Sequence, residues 1–277
     1  MTAWTDEHRR LALALYCRLP FGLFHARNAT IVSVAAAMGR TPSSLAMKLC
    51  NFASLDPEIV RSGRRGLGNV SEADRAAWLA FEGDREGAID WAEARLEEVG
   101  VAPPLGEAVG VQAEYLEDEV VRGEGMDGGL KIGGPTEVTA LVRRRRGQRF
   151  FREGVLASYI GRCCISGVAD PRLLVASHIV PWRSDASARL DLRNGICLST
   201  LHDRLFDAGI ITVTLERRVC VSAGFRAKHT DAYSREAIHS LHGRPVGAPQ
   251  KFGPTDAYLR HHNMHVFEGA ASELVFL

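Results

Sequence analysis

Long apolar runs are missing from this chain of 277 residues. None approaches the ~18 consecutive apolar residues that a membrane helix requires, so no membrane partner is expected. No secretory leader is expected either, because the opening MTAWTDEHRR is polar where an apolar stretch would be needed. The six cysteines, Cys17, Cys50, Cys163, Cys164, Cys197 and Cys220, form no C-x-x-C pair, which argues against a zinc ribbon or knuckle. Without an export signal they are expected as reduced thiols in a cytoplasm. No internal repeat is evident. Net charge is nearly absent, at +1, while 46% hydrophobic and 24% charged residues exclude a largely disordered or collagen-like chain. The length suits one large domain or two small ones.

The near-zero net charge hides a polarity along the chain. Residues 1–70 hold 9 Lys/Arg against 4 Asp/Glu, residues 71–140 hold 5 against 17, and residues 141–277 hold 20 against 12. Two basic blocks around an acidic one read as two surfaces that meet a polyanion and a connector that does not. The plainer reading is that these charges decorate solvated faces.

Helical spacing of apolar residues covers 6–19, with Leu11, Leu15 and Leu19 in one stripe, and Pro20 and Gly22 end it. Further helices are expected at about 30–38, from Pro42 to Asn51 behind a Thr41 or Ser43 cap, and at 71–82 with Trp78 and Phe81 inward. Residues 85–99 predict an acidic amphipathic helix, and 101–136, rich in Gly and Pro, a linker with one short ordered piece near 111–121. A basic helix follows at 141–160, then short β-prone runs at 172–176, 196–199, 210–215 and 218–222. The division expected is a helical domain at 1–82, an acidic helix and linker at 83–136, and a second domain at 137–277.

Helix, tight turn and second helix is the frame of a helix-turn-helix, and Ala35, Gly39 and Leu45 have suitable spacing. Ala35 permits a close crossing, Gly39 a positive φ, and Leu45 packing between the two helices. The second helix would present Ser43, Ser44, Met47, Lys48 and Asn51 to a groove or to phosphates, with Arg40, Arg61, Arg64 and Arg65 on backbone. A small bundle with Gly39 as a mere helix cap has the same pattern, and such a module can also bind a protein or a small ligand.

The stretch that carries chemistry is 163–209, CCISGVADPRLLVASHIVPWRSDASARLDLRNGICLSTLHDRLFDAG. It offers His178 at the end of a short strand, Asn194 before a turn at Gly195, and His202 opening a helix. A rigidly presented histidine can act as a general base because its pKa lies near neutrality. A second, neutral imidazole can hold a divalent ion, and an asparagine amide can pin a loop. Any one such residue alone is more often structural.

The ordered pieces RCCISGV, ASHIVPW, RNGICLS and LHDRLFDAG resemble the HNH family of nucleases, over about 141–267. The resemblance implies an α+β fold: a C-terminal ββα-metal HNH nuclease domain after the N-terminal all-α, helix-turn-helix-like domain. It implies that His178 deprotonates the attacking water, that Asn194 holds the loop and orients the His178 backbone, and that His202 binds a divalent metal. That metal would be Mg²⁺, with Mn²⁺ as an alternative. It further implies hydrolysis of DNA to 5′-phosphate and 3′-hydroxyl ends, in restriction or defence against foreign DNA. One such site cuts one strand, so a double-strand break would need a homodimer or two successive events. Many members carry Asp, His or Glu just before the first histidine; here Ser177 stands there. Asp203 and Asp207 are weaker candidates for the metal.

Arg143, Arg144, Arg145, Arg146 and Arg149, with Arg152, put positive charge along the basic helix and are expected to track a DNA backbone. Trp182 is expected to pack under its loop, Cys163 and Cys164 to be buried thiols, and His261, His262 and His265 to be surface or terminal packing. The rival to a nuclease is a DNA-binding regulator with a degenerate HNH domain; a nuclease switched by a partner of the N-terminal domain is a third reading.

Overall fold

Thr5 caps the first helix, α1 (Asp6–Arg18), its hydroxyl accepting from the His8 N–H. From Leu11 to Arg18 every residue is buried, so α1 is a central helix packed on all sides and not only along the Leu stripe. Around it lie α2 (Ala29–Ala37), α3 (Pro42–Ala53), α4 (Pro57–Arg61), α5 (Glu72–Gly83) and α6 (Arg85–Glu98). A computed structural model provides these coordinates and describes residues 3–98, 100 and 135–274. The linker expected over 101–136, with its ordered piece near 111–121, lies outside the described residues but for its last two.

Gly39 takes φ 61° between α2 and α3, and Thr41 caps α3 through the Ser44 N–H with Pro42 in the first turn. Leu45, Leu49 and Phe52 fall on the face of α3 that packs inward. So does Lys48, contrary to the expectation of an outward lysine. Its ammonium is bound by both oxygens of Asp74, which α5 delivers at 2.7 and 2.8 Å, and the residue is 6% exposed.

The acidic helix α6 is packed, not strung between domains. Ile89, Ala92 and Leu96 bury against α1 and against α7 (Pro135–Ser158). Its carboxylates at 90, 93 and 97 then face arginines at 143, 146 and 149 of α7. Asp90 pairs with Arg143 and Arg146, both at 3.1 Å, and Glu97 with Arg146 at 2.7 Å and Arg149 at 2.8 Å. Glu93 holds Arg149 and also the buried Arg18, which reaches Glu153 of α7 on its other side. Burial disfavours charge on both Arg18 and Glu153. Lys251, fully buried, donates to the carbonyls of Tyr16, Cys17 and Leu19 at the end of α1, so the far end of the chain is tied to the same helix.

After α7, β1 (Leu174–His178) and β2 (Gly195–Ser199) pair antiparallel, with His178 opposite Gly195 and Leu174 opposite Ser199. Helix α8 (Thr200–Asp207) follows β2 directly, and together they form a ββα unit. A second hairpin, β3 (Ile211–Val213) with β4 (Val219–Val221), precedes α9 (Ala223–Lys228), α10 (Ala232–Ala237) and α11 (Asp256–His265). The described residues are thus α+β, helix-rich with small sheets, and no helix among them is long and apolar enough to cross a membrane.

The ββα unit is clamped from two sides. Helix α7 lies so close to β2 that a Cβ at Gly195 would run into the Val155 side chain and meet the Phe151 ring at 3.0 Å. On the other side His262 of α11 stacks on Phe206 of α8, ring centroids 3.6 Å apart. Its Nε2–H donates to the Phe206 carbonyl, and the Thr212 hydroxyl donates to its Nδ1 at 2.8 Å. The Asn263 amide, oriented with its nitrogen toward Val213, Leu259 and Thr212, completes the chain. At the α8–β3 turn, Gly209 has φ 71° and its Cα abuts the Val266 carbonyl. Gly209→Ala therefore combines left-handed strain of about 1–2 kcal/mol with a backbone clash, and a loss of more than about 2 kcal/mol is expected in urea unfolding.

Candidate functional site

His178 ends β1 with its ring face to face on Phe151 of α7, centroids 3.9 Å apart and planes 5° apart. Trp182 approaches edge-on at 5.4 Å. Nε2 lies 3.0 Å from the Arg189 carbonyl, which can only accept, so Nε2 carries the proton. Nδ1 is left as a lone pair, without a hydrogen-bond partner among the described residues and not sealed from solvent. Burial lowers the His178 pKa to about 4, opposed only in part by the carbonyl bond. The ring is therefore neutral across the physiological range.

Asn194, 0% exposed, makes no side-chain hydrogen bond to His178 among the described residues. It acts on the loop: Oδ1 accepts from the Val180 N–H at 2.8 Å, and Nδ2 donates to the carbonyls of Val180 and Ala188, both at 3.1 Å. Its own carbonyl accepts from the Ile179 N–H at 2.9 Å. These bonds hold the chain on both sides of the bond from His178 to Arg189. Asn194→Ala would leave three buried backbone groups unpaired at about 1–3 kcal/mol each. Loss of a cooperative melt, or a midpoint lowered by well over 10 °C, is expected in calorimetry.

His202 sits in the first turn of α8 and is 6% exposed. Nδ1 contacts Ser199 Oγ at 3.0 Å and Cys163 Sγ at 3.3 Å, whereas Nε2 has no hydrogen-bond partner among the described residues and is not sealed. Burial pushes the Cys163 thiol up, but its bonds to His202 and Ser166 outweigh this and hold it at about 6. Ser177 is buried, and its hydroxyl has no hydrogen-bond partner among the described residues. Asp203 and Asp207 each already interact with another group. Among the described residues no three His, Cys, Asp or Glu side chains converge as a metal cage. His202 Nε2 is the donor these residues leave open, so a divalent ion there would need water and phosphate oxygens for most of its shell.

The arginine run is divided by which side of α7 each residue occupies. Arg143, Arg146 and Arg149 face the carboxylates of α6, while Arg144 and Arg145 are exposed and make no ion pair among the described residues. Arg144 lies over the Trp182 ring at 5.7 Å, close to His178, and Arg189 lies over it at 5.2 Å. Ser43 is exposed and Ser44 half-buried on α3. Of the histidines near the end, His261 and His265 pair on the surface of α11 while His262 is the core residue described above.

Residues 163–214 match the HNH endonuclease family. None of the curated proteins matches the chain. The matched HNH segment begins at Cys163 and runs through β3, so it contains His178, Asn194 and His202, and it implies a nuclease with DNA as substrate. Nucleases of this family generally depend on a divalent metal.

Residues outside the sequence reading also shape the site. Phe151 and Arg189 set the environment of His178. Glu82, at the end of α5, binds Arg193 beside Asn194 at 3.1 and 3.2 Å. Burial would raise Glu82, but Arg193 and Arg85 outweigh it and lower its pKa. Only the arginine that precedes Asn194 in RNGICLS offered a signal for these contacts.

Proposed function

We propose that this chain is a divalent-metal-dependent HNH endonuclease that hydrolyses DNA phosphodiester bonds, in restriction or defence against foreign DNA. The observation that carries the reading is the His178 ring held by Nε2–H on the Arg189 carbonyl, which leaves Nδ1 as the lone pair a general base needs. In this mechanism Nδ1 takes a proton from the water that attacks phosphorus. Nε2–H stays on the Arg189 carbonyl and fixes the tautomer, and Asn194 keeps that carbonyl in place. His202 Nε2 is the protein ligand of the ion. When bound, a divalent ion supplies charge stabilisation for the pentacovalent phosphorus and the departing 3′ oxygen. Arg144 and Arg145, not Arg146 or Arg149, are the arginines of the basic helix free to meet phosphate in this reading. The helical N-terminal module serves as a DNA reader through Ser43 and Ser44, without Lys48.

The Ser177 hydroxyl, without a partner among the described residues and standing where many members of the family carry Asp, His or Glu, favours a second reading: a DNA-binding regulator with a degenerate site. The deciding experiment incubates supercoiled plasmid, unmodified and cytosine-methylated, with the protein in Mg²⁺ or Mn²⁺, beside His178→Ala. Nicking or linearisation that requires metal and vanishes in the variant supports the nuclease. Binding without cleavage under every metal supports the regulator.

A further inference from the structure

Cys163 lies in the turn after α7, far from α8 in sequence, yet its sulfur is placed on the back of the His202 ring. Sγ is 3.3 Å from Nδ1, and Ser199 Oγ shares the same nitrogen at 3.0 Å. The Ser166 N–H donates to Sγ at 3.4 Å, which marks the sulfur as an acceptor. Cys163 is 2% exposed, so the sulfur is kept from bulk water. With the sulfur as acceptor, and the Ser199 hydroxyl able to accept from the same N–H, Nδ1 carries the proton in this reading. The lone pair then sits on Nε2, the ring nitrogen that has no partner among the described residues and is not sealed.

We propose that Cys163 is a positioning residue for the metal site, acting through His202: with Ser199 it holds the imidazole in the Nδ1–H tautomer and directs the Nε2 lone pair toward the ion. This rests on the nuclease reading above, in which His202 is the protein ligand. A hydrogen-bond acceptor behind a ligating histidine orients the ring and raises its donor strength. Such support matters more here than in a site with several protein ligands, because Ser177 supplies no carboxylate and no three-residue cage is present among the described residues. The cysteine pair at 163–164 is thereby divided. Cys164 is buried, and burial raises its thiol well above the ordinary value; Cys163 faces the histidine.

The test uses the full chain with Mn²⁺ alone as probe. Affinity is read from the free-ion electron paramagnetic resonance signal, and the ring tautomer of His202 from long-range ¹H–¹⁵N correlations of the metal-free, histidine-labelled protein. Wild type is expected to show Nδ1–H. Cys163→Ala should bind Mn²⁺ about tenfold more weakly, the low end of what loss of such a supporting group costs. Cys163→Ser, which keeps an acceptor, should recover most of the affinity and retain the tautomer. An Nε2–H tautomer in wild type overturns the proposal whether or not the variants fold. Mn²⁺ binding lost in His202→Ala but unchanged in a folded Cys163→Ala overturns this proposal alone. Binding unchanged in His202→Ala removes His202 from the metal site and overturns the ligand assignment together with it.

Discussion

Replacing His178 by alanine is expected to slow metal-dependent plasmid nicking by roughly 10²–10⁴-fold, the usual contribution of a positioned general base. DNA binding should persist, because Arg144 and Arg145 lie on a different element and the ring makes a single hydrogen bond, to the Arg189 carbonyl. The same residue makes a prediction about pH. With its pKa lowered to about 4 by burial against Phe151, the base form predominates well below neutrality. An ordinary imidazole, half protonated near pH 6.5, would lose about tenfold in kcat/KM between neutrality and pH 5.5. Here kcat/KM is expected to stay nearly level over that interval at saturating Mg²⁺. A tenfold fall centred near 6.5 would contradict the burial argument, and undiminished cleavage by His178→Ala would remove His178 from the chemistry.

Acidification is expected to unfold the HNH segment before it silences the base. His262 is held neutral between Phe206 and Thr212, and burial lowers its pKa to about 3. The folded pKa lies below the unfolded value near 6.5, so the unfolded chain binds more protons throughout the interval between them. The stability these rings contribute is therefore fully present above about pH 6.5 and is lost as pH falls toward 4 and then 3. At 1.36 kcal/mol per unit, His262 accounts for roughly 5 kcal/mol and His178 for roughly 3, a large part of a typical domain's stability. Urea midpoints measured from pH 8 to pH 5 should stay level down to about 6.5 and then drop steeply. His262→Gln keeps an amide that can serve Thr212 and the Phe206 carbonyl but does not titrate, so the part of the acid slope that the two rings supply should fall by about half, His178 supplying the rest. Equal slopes in the two proteins would place the acid sensitivity elsewhere.

The charge blocks show how far one-dimensional reading extends. Residues 71–140 hold an excess of acid and 141–277 an excess of base, and both facts stand. Their meaning changed on folding, because Asp90, Glu93 and Glu97 come to lie along Arg143, Arg146 and Arg149. A run of arginines has no address until the helix acquires a neighbour. Arg144 and Arg145 differ from Arg146 only in the direction a 3.6-residue turn points them. Lys48 makes the same point at α3, where a lysine at a position read as outward instead meets a buried carboxylate from α5.

Local chemistry was written in the chain. Helix α3 begins where Thr41 and Pro42 stand, Gly39 turns the chain ahead of it, and β1 and β2 occupy the β-prone runs around His178 and Asn194. Caps, turn glycines and β-branched runs act over a few residues, so their consequences can be read without knowing the fold. The environment of each functional group could not be read that way. Phe151 against His178, Cys163 behind His202 and Glu82 on Arg193 are contacts across 27, 39 and 111 positions. They set protonation, tautomer and loop rigidity through burial and distance, which exist only once α7, the ββα unit and the N-terminal helices have packed together.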